Sequence, residues 1–178
     1  MTKRIAAALL FVLVLGSNRT ARATTDGIET AGDILQYVLP AVTAGALAGH
    51  RDAEGAWQFG GSYALTMGTT YLLKATVDER RPNGGHYSFP SGHTSSSFSC
   101  AEFLRERYGW RYGLPAYVAA TFVAYSQIES DNHYVHDVAA GAAIGILSSY
   151  LFTSPYRGWQ VSLAGDFSSI GITFNRAW

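Results

Sequence analysis

Apolar and polar positions divide this chain into a short apolar leader, a series of segments of helical length and an alternating segment at the C-terminus. Mostly uncharged stretches rich in Ala, Leu, Val and Gly recur through the middle of the chain, and charged, Gly-containing or Pro-containing breaks separate them. They predict five helices, over residues 34–49, 56–78, 91–108, 114–130 and 134–152. Residues 24–33 are predicted to form a polar lead-in before the first helix.

The spacing of apolar residues changes after Pro155. Apolar side chains there alternate with small or polar ones on both sides of Gly165-Asp166, which is typical of a short hairpin. The alternating residues are Val161, Leu163, Ile170, Ile172 and Phe174. The pattern as a whole predicts one all-α domain over residues 24–178, a bundle of about five main helices with a short C-terminal β-hairpin.

The first 23 residues have the pattern of a secretory signal peptide. Lys3-Arg4 form a basic start, residues 5–15 are an uninterrupted apolar run, and Ala21-Arg22-Ala23 fits a small-x-small cleavage site. A membrane anchor is the alternative, but the apolar run is too short to span ~30 Å of hydrocarbon comfortably. We therefore expect a chain exported to the periplasm or cell envelope.

Removal of this segment would make the protein acidic. Residues 1–23 hold four of the 13 basic side chains and none of the 13 acidic ones, so nine basic and 13 acidic side chains remain, a net charge of about −4. Nucleic acid is therefore not an expected partner. Cys100 is the only cysteine, which excludes an intramolecular disulfide, and we expect it to be buried.

The relation of the domain to the membrane stays open at this stage. The uncharged runs 55–73 and 138–156 reach the lower length limit of a spanning helix. They are diluted by Gly, Ser, Thr and Tyr, and the mean hydropathy of the chain is only +0.05. This favours a periplasmic domain resting on the membrane surface over an embedded one.

Two cations point to an anion site. Lys74 and Arg81 are seven residues apart, so on one helix both would project from the same face, beside the glycine-rich loop 83–85. Lysine would act as a point charge and arginine as a planar fork for phosphate oxygens. A solvated basic face is the ordinary alternative.

The sequence Pro90-Ser91-Gly92-His93 strengthens the phosphate hypothesis. Ser91 is the expected N-cap of a helix whose first backbone N–H groups are free to bind an anion, and Gly92 allows close approach. His93 would lie within reach of the bound group. A plain N-cap followed by a surface histidine remains the alternative.

A second cluster supplies a possible nucleophile. His133 and Asp137 are four residues apart, and a carboxylate beside an imidazole fixes its tautomer and leaves the other nitrogen free to attack. A surface (i, i+4) pair is the alternative. His136 would point to another side, whereas His86 lies in the loop and is a candidate for a substrate contact. The histidines lack the paired spacing of a zinc site.

Taken together, these residues resemble the type 2 phosphatidic-acid phosphatase and vanadium haloperoxidase superfamily. Its pattern is Lys-x6-Arg-Pro, then Pro-Ser-Gly-His, then Ser-Arg-x5-His-x3-Asp, and the chain matches it in order between residues 74 and 137. The matching residues are Lys74, Arg81-Pro82, Pro90-Ser91-Gly92-His93, Ser126, His133 and Asp137. The resemblance implies an α-helical phosphatase without a metal or other cofactor, inhibited by vanadate.

The resemblance also implies a role for each residue. His133 would attack phosphorus and form a phosphohistidine, Asp137 would orient it, and His93 would protonate the leaving oxygen and then activate water. The phosphoryl oxygens would be held by Lys74, Arg81, Ser91 and Gly92. The substrate would be a phosphorylated lipid or a small phosphoester.

Two departures from the family pattern stand out. The second arginine of the pattern falls on Gln127, which can donate hydrogen bonds but carries no charge. Arg80 is the nearest other cation, but on a helix it should point elsewhere. The loop 83–89 is also short for the family, so we expect an open site.

Two further functions remain open on the sequence alone. The same pocket could serve a haloperoxidase with vanadate as cofactor, although the chain is short for that branch. A non-catalytic anion-binding protein of the envelope is the other alternative. Gln127 favours it, and the intact His93, His133 and Asp137 argue against it.

Overall fold

The computed structural model describes residues 21–156, 159–166 and 169–176. Five helices run through the first range: α1 Ala21–His50, α2 Ala53–Thr76, α3 Gly92–Tyr108, α4 Trp110–Glu129 and α5 Val135–Phe152. Two antiparallel strands follow, β1 Trp159–Asp166 and β2 Ser169–Arg176. The predicted all-α bundle of five main helices is confirmed. The side chains of the two strands are not described, so the alternation on which the hairpin prediction rested stays a prediction. The predicted signal peptide falls almost wholly on residues 1–20, outside the described ranges.

Helix α3 is the centre of the bundle and packs against each of the other four helices. Its sequence is polar, yet most of its side chains are buried, including four consecutive residues of its first turns, Thr94 to Ser97. Cys100 is fully buried, as predicted, and packs with Leu39, Leu104 and Ala120 in an apolar cluster shared by α1, α3 and α4. The helix therefore combines a polar end near the predicted site with an apolar centre.

Hydroxyl groups join α3 to its neighbours α2 and α5. Thr70 Oγ1 donates to Ser95 Oγ (2.9 Å), and Thr66 Oγ1 donates to Ser99 Oγ (3.1 Å). Ser99 Oγ lies 3.0 Å from Ser149 Oγ of α5. We call these five residues the hydroxyl ladder. Because its side chains are small, the three helices approach closely.

Two glycines bring α5 against the backbone of α3. A Cβ atom on Gly141 would lie 2.6 Å from the carbonyl oxygen of Ser91, and one on Gly145 would lie 2.4 Å from that of Ser95. Any larger residue would push the helices apart. The same contact is tied by a backbone hydrogen bond from Ser91 N to Asp137 O (3.0 Å).

The first helix is longer than predicted. Residues 24–33 are helical rather than a lead-in, because their polar side chains are used in tertiary contacts instead of forming an apolar stripe. Glu29 Oε1 accepts a hydrogen bond from Asn132 Nδ2 (2.7 Å). A Cβ atom on Gly32 would lie 1.9 Å from Ser126 Oγ, so α1 rests directly on α4 at this point.

Arg107 connects several helix ends on the side of the bundle opposite the predicted site. Arg107, 2% exposed, donates to both carboxylate oxygens of Asp52 (2.6 and 2.7 Å) and to Ser154 O (2.8 Å). Asp52 is the N-cap of α2 and accepts from Gly55 N (2.9 Å). The arginine thus links the end of α3, the start of α2 and the segment after α5.

Two helical stretches, Thr25–His50 and Val135–Phe152, are long and apolar enough to cross a membrane by length and composition. Large apolar side chains are also exposed on several helices, which fits association with a membrane. The most exposed of them are Tyr37, Trp57, Leu72, Val135 and Leu151.

Candidate active site

The predicted site residues meet around a cavity of about 330 Å³ between α1, α2 and the start of α3. Five of them line it: Lys74, Arg81, Gly92, His93 and His133. The rest of the lining comes from α1, α2 and α3 and is mostly aromatic or apolar, with two polar residues: Gln36, Tyr37, Tyr63, Met67, Tyr71 and Ser96. The cavity therefore has a charged end and a wall suited to an apolar group.

His133 and Asp137 are paired and buried, 2% and 0% exposed. His133 Nδ1 lies 3.4 Å from Asp137 Oδ2. They do not share a helix face as predicted, because α5 begins only at Val135. Instead, the carboxylate of Asp137 caps the helix by accepting from Tyr134 N (2.9 Å), and Gln127 O accepts from His133 N (3.0 Å). Because Nδ1 of His133 faces the carboxylate, Nε2 is the ring nitrogen available to a group bound in the cavity.

Ser88, which lies outside the sequence motifs, contacts both members of this pair. Its hydroxyl is fully buried, donates to Asp137 Oδ2 (2.5 Å) and lies 3.4 Å from His133 Nδ1. Ser88 comes from the loop between α2 and α3, so three separate segments hold the imidazole. The only signal for Ser88 in the sequence is its position two residues before Pro90.

The surroundings keep His133 uncharged. Burial, followed by the positive charges of Lys74 and Arg81, lowers the pKa of His133 to about 4, although Asp137 acts in the opposite direction. The imidazole is therefore neutral near pH 7 and has a lone pair available for attack.

Lys74 and Arg81 reach the cavity by a different route from the predicted one. Helix α2 ends at Thr76, where Val77 turns to extended geometry, so Arg81 lies in the loop and not on the same helix face. Lys74 Nζ donates to Tyr87 O (2.7 Å) and Ser88 O (3.2 Å), and Arg81 Nε donates to His86 O (3.2 Å). These carbonyl contacts fix both cations while leaving charge directed into the cavity.

Ser91 is the N-cap of α3, as predicted. Its hydroxyl is buried and accepts from Thr94 N (3.4 Å) and Thr94 Oγ1 (3.0 Å), and Ser91 does not line the described cavity. Gly92 does line it, and a Cβ atom there would lie 3.8 Å from Lys74 Cε. The start of the helix is thus placed against the lysine side chain.

Gln127, in the position of the family arginine, is 1% exposed and does not line the described cavity. Its Nε2 has no hydrogen-bond partner within the described residues. Its backbone oxygen accepts from Asn132 N (3.1 Å) as well as from His133 N. The main observed role of this residue is thus to shape the turn that carries His133.

His93 faces a carboxylate that lies outside the sequence motifs. His93 Nε2 lies 3.2 Å from Asp33 Oδ1 of α1. Burial lowers the pKa of His93, Asp33 opposes this, and Arg81 and Lys74 lower it further. Asp33 was not predicted as a site residue, because nothing in the polar pattern of residues 24–33 indicated that this segment would reach the site.

The other charged candidates lie beside the cavity. His86 Nδ1 is 3.1 Å from Asp78 Oδ1, and neither His86 nor Arg80 lines the described cavity. His136 Nε2 lies 2.8 Å from Glu79 Oε1 and 3.2 Å from Asp137 Oδ1. Glu79, His136 and Asp137 have donor atoms within 4.8 Å of one another and are the described group whose geometry could hold a metal ion.

Comparison with known proteins decides the family. Residues 55–159 match the PAP2 superfamily, a range that contains nearly all of α2 and every residue of the predicted pattern. The chain belongs to the PAP2 superfamily. The resemblance that the motifs indicated is thereby confirmed.

Relatives and a solved structure agree with this assignment. A lipid A 4'-phosphatase of Helicobacter pylori is 29% identical over 85% of this chain and 85% of its own length. A lipid A 1-phosphatase of the same species is 34% identical over 60% of this chain and 61% of its own length. The crystal structure of LpxE from Aquifex aeolicus superposes with a TM-score of 0.64, at 21% identity, over 80% of this chain and 92% of that one, which shows the shared fold. This PAP2 chain is a phosphatase. Phosphatases of the superfamily need no metal or other cofactor.

Proposed function

We propose that this PAP2 phosphatase removes a phosphate group from a lipid of the cell envelope through a phosphohistidine on His133. The observation that carries the proposal is a buried, neutral imidazole, held by Asp137, at the edge of a cavity that also contains Lys74, Arg81 and His93. A nucleophile, an acid and two cations around one space are the parts that phosphoryl transfer requires.

The reaction would proceed in two steps. His133 Nε2 attacks phosphorus while Lys74, Arg81 and backbone N–H groups at Gly92 stabilise the equatorial oxygens, and His93 gives its proton to the leaving oxygen. His93 then takes a proton from water, which attacks the phosphohistidine and releases phosphate. Asp137, itself held by Ser88, stabilises the positive charge that His133 acquires.

Gln127 would add a neutral donor in place of the family arginine. Gln127 does not line the described cavity, but its buried Nε2 has no hydrogen bond in the described part of the chain and is the donor that this role would use. A neutral donor is about half as strong as a charged one, so binding of the phosphate would depend more on Lys74 and Arg81.

Lipid A is the substrate that the relatives favour. Both Helicobacter pylori relatives are named lipid A phosphatases, one for the 1-position and one for the 4'-position. The aromatic wall formed by Tyr37, Tyr63 and Tyr71 beside the charged end of the cavity suits a molecule with a phosphate and an apolar body. We propose lipid A or a similar phosphorylated membrane lipid, met at the outer surface of the inner membrane after export.

The purified protein in detergent tests the proposal. We expect it to release phosphate from lipid A with EDTA present and to be inhibited by vanadate. His133→Ala should lower turnover by at least ~10⁴-fold, and His93→Ala by ~10²–10⁴-fold. His86→Ala is the matched control, because the side chain of this histidine contacts Asp78 and does not line the cavity, and it should stay within a few-fold of wild type.

Two results would contradict the proposal. Hydrolysis that survives in His133→Ala would remove the nucleophile assignment. Activity abolished by EDTA and restored by a divalent cation would favour a metal mechanism instead. Assays with phosphatidic acid and a soluble phosphomonoester in parallel show whether lipid A is preferred.

A further inference from the structure

We propose that Asp33 of α1 is the positioning residue of the general acid, holding His93 so that its Nδ1 points to the leaving oxygen. The inference rests on the proposed phosphatase reaction and assigns a residue outside the sequence motifs. Its basis is the 3.2 Å contact between Asp33 Oδ1 and His93 Nε2 at the rim of the cavity. A carboxylate on one imidazole nitrogen fixes the tautomer and leaves the other nitrogen for the reaction.

The packing of α1 explains how Asp33 reaches the site. At the preceding residue, Gly32, a Cβ atom would lie 1.9 Å from Ser126 Oγ and 2.6 Å from Ser126 Cβ, so only glycine fits at the contact with α4. One turn earlier, Glu29 is bonded to Asn132, the neighbour of His133. One contact with α4 and one with the loop that carries His133 therefore anchor this part of α1.

The charges facing His93 give the carboxylate its function. Lys74 from α2 and Arg81 from the loop bind phosphate, but their positive charges disfavour a protonated imidazole, as burial does. His133 on the opposite side is neutral. Asp33 is the acidic group among the described residues that contacts the His93 ring. It acts against the two cations and favours the protonated state that a general acid needs.

The proton balance is simple. In the first step the His93 Nδ1–H proton moves to the oxygen of the breaking P–O bond, and the ring becomes neutral while Asp33 retains the Nε2–H hydrogen bond. In the second step Nδ1 takes a proton from the attacking water as phosphorus leaves His133. Asp33 gains and loses no proton in either step and touches neither substrate nor phosphorus.

The test compares leaving groups. An alkyl phosphate needs a proton on its departing oxygen, whereas p-nitrophenyl phosphate has a leaving group stable without one. For Asp33→Asn we expect kcat/KM on the alkyl phosphate to fall ~10–100-fold, a part of the ~10²–10⁴-fold due to general acid catalysis, with less than ~3-fold change on p-nitrophenyl phosphate. The alkaline limb of the alkyl phosphate profile should move to lower pH, because His93 loses its proton more easily.

Two variants serve as controls. Asp26→Asn removes the same charge from an exposed position two turns earlier on α1 and should leave both substrates unchanged. Asp33→Glu should recover part of the loss on the alkyl phosphate. Unchanged thermal unfolding of each variant shows that α1 remains in place.

Other outcomes overturn the inference. Equal losses on both substrates would mean that Asp33 only supports the fold, and no loss on either would mean that His93 does not need it. Wild-type protein inactive on lipid A as well as on both phosphoesters would reject the proposed function itself, which separates the two failures.

Discussion

At the scale of single residues, Lys74 sets a testable pH dependence. Burial, together with the charge of Arg81, lowers the pKa of Lys74 to about 8, while Asp137 acts in the other direction. The free protein therefore loses this cation as pH rises through about 8, and phosphate binding should weaken there. We expect an alkaline limb near pH 8 in kcat/KM.

The conservative variant Lys74→Arg shows whether deprotonation of Lys74 causes the alkaline limb, since arginine stays charged as pH rises through 8. Its kcat/KM at pH 7 should drop, because guanidinium cannot copy the lysine contacts with Tyr87 O and Ser88 O. Its alkaline limb near pH 8 should flatten. An unchanged limb in Lys74→Arg would assign that ionisation to another group.

The residues of the site differ in how far the sequence predicts them. Lys74, His93 and His133 belong to ordered motifs, and the structure brings all three to one cavity. Ser88 and Asp33 were missed because they act through tertiary contacts, and the sequence pattern around them indicates only a loop and a polar segment. A contact between distant segments leaves no local periodicity.

At the scale of elements, the contact between α3 and α5 depends on Gly145. A Cβ atom there would lie 2.4 Å from Ser95 O and 2.7 Å from Ser99 N, and neither backbone atom can move alone. We expect Gly145→Ala to lower the free energy of unfolding by ~1–3 kcal/mol, as overpacking does. Because α5 also carries Asp137, kcat/KM should fall as well.

Gly68→Ala is the matched control, since a Cβ atom at that exposed position of α2 meets nothing within 4 Å. It should raise the free energy of unfolding by ~0.5–1 kcal/mol through helix propensity. Urea unfolding and phosphatase assays on both variants check the pair. A Gly145→Ala protein as stable as Gly68→Ala would show that the helices can separate without cost.

The sequence predicted the five helices more accurately than it predicted where each helix begins and ends. Four of the five helices follow from long, mostly uncharged stretches, whereas α3 follows from Ser91, which marks its start as a capping residue should. The prediction extended α2 to Asp78 and began α1 at Ile34, and both ends were wrong. Polar residues with tertiary partners extend α1, while the geometry of Val77 ends α2 before the charged loop.

At the scale of the whole molecule, Arg107 holds the helix ends together far from the site. Burial would raise the pKa of Asp52, but hydrogen bonds from Arg107, Gly55 N and Tyr108 outweigh it and lower the pKa to about 2. Asp52 is therefore ionised in the folded protein well below its ordinary value of 3.8. It contributes stability above pH 3.8 that is lost as pH falls through 2.

Removing one member of this buried pair should cost more than removing both. Arg107→Leu leaves the Asp52 charge uncompensated and should lower the free energy of unfolding by ~3–5 kcal/mol at pH 7. The double variant Arg107→Leu/Asp52→Asn should recover part of that loss. Equal stability of single and double variants, measured by urea unfolding, would show that the carboxylate finds another partner.

The hydroxyl ladder has a consequence for the solvent in which the bundle can exist. Contacts among Thr66, Thr70, Ser95, Ser99 and Ser149 consist of directional hydrogen bonds between small side chains, which do not depend on expelling water. Helices joined in this way keep their register in hydrocarbon as well as in an aqueous medium. A transfer between detergent micelles, bilayer and buffer would therefore change the medium around the bundle and leave the alignment of α2, α3 and α5 intact.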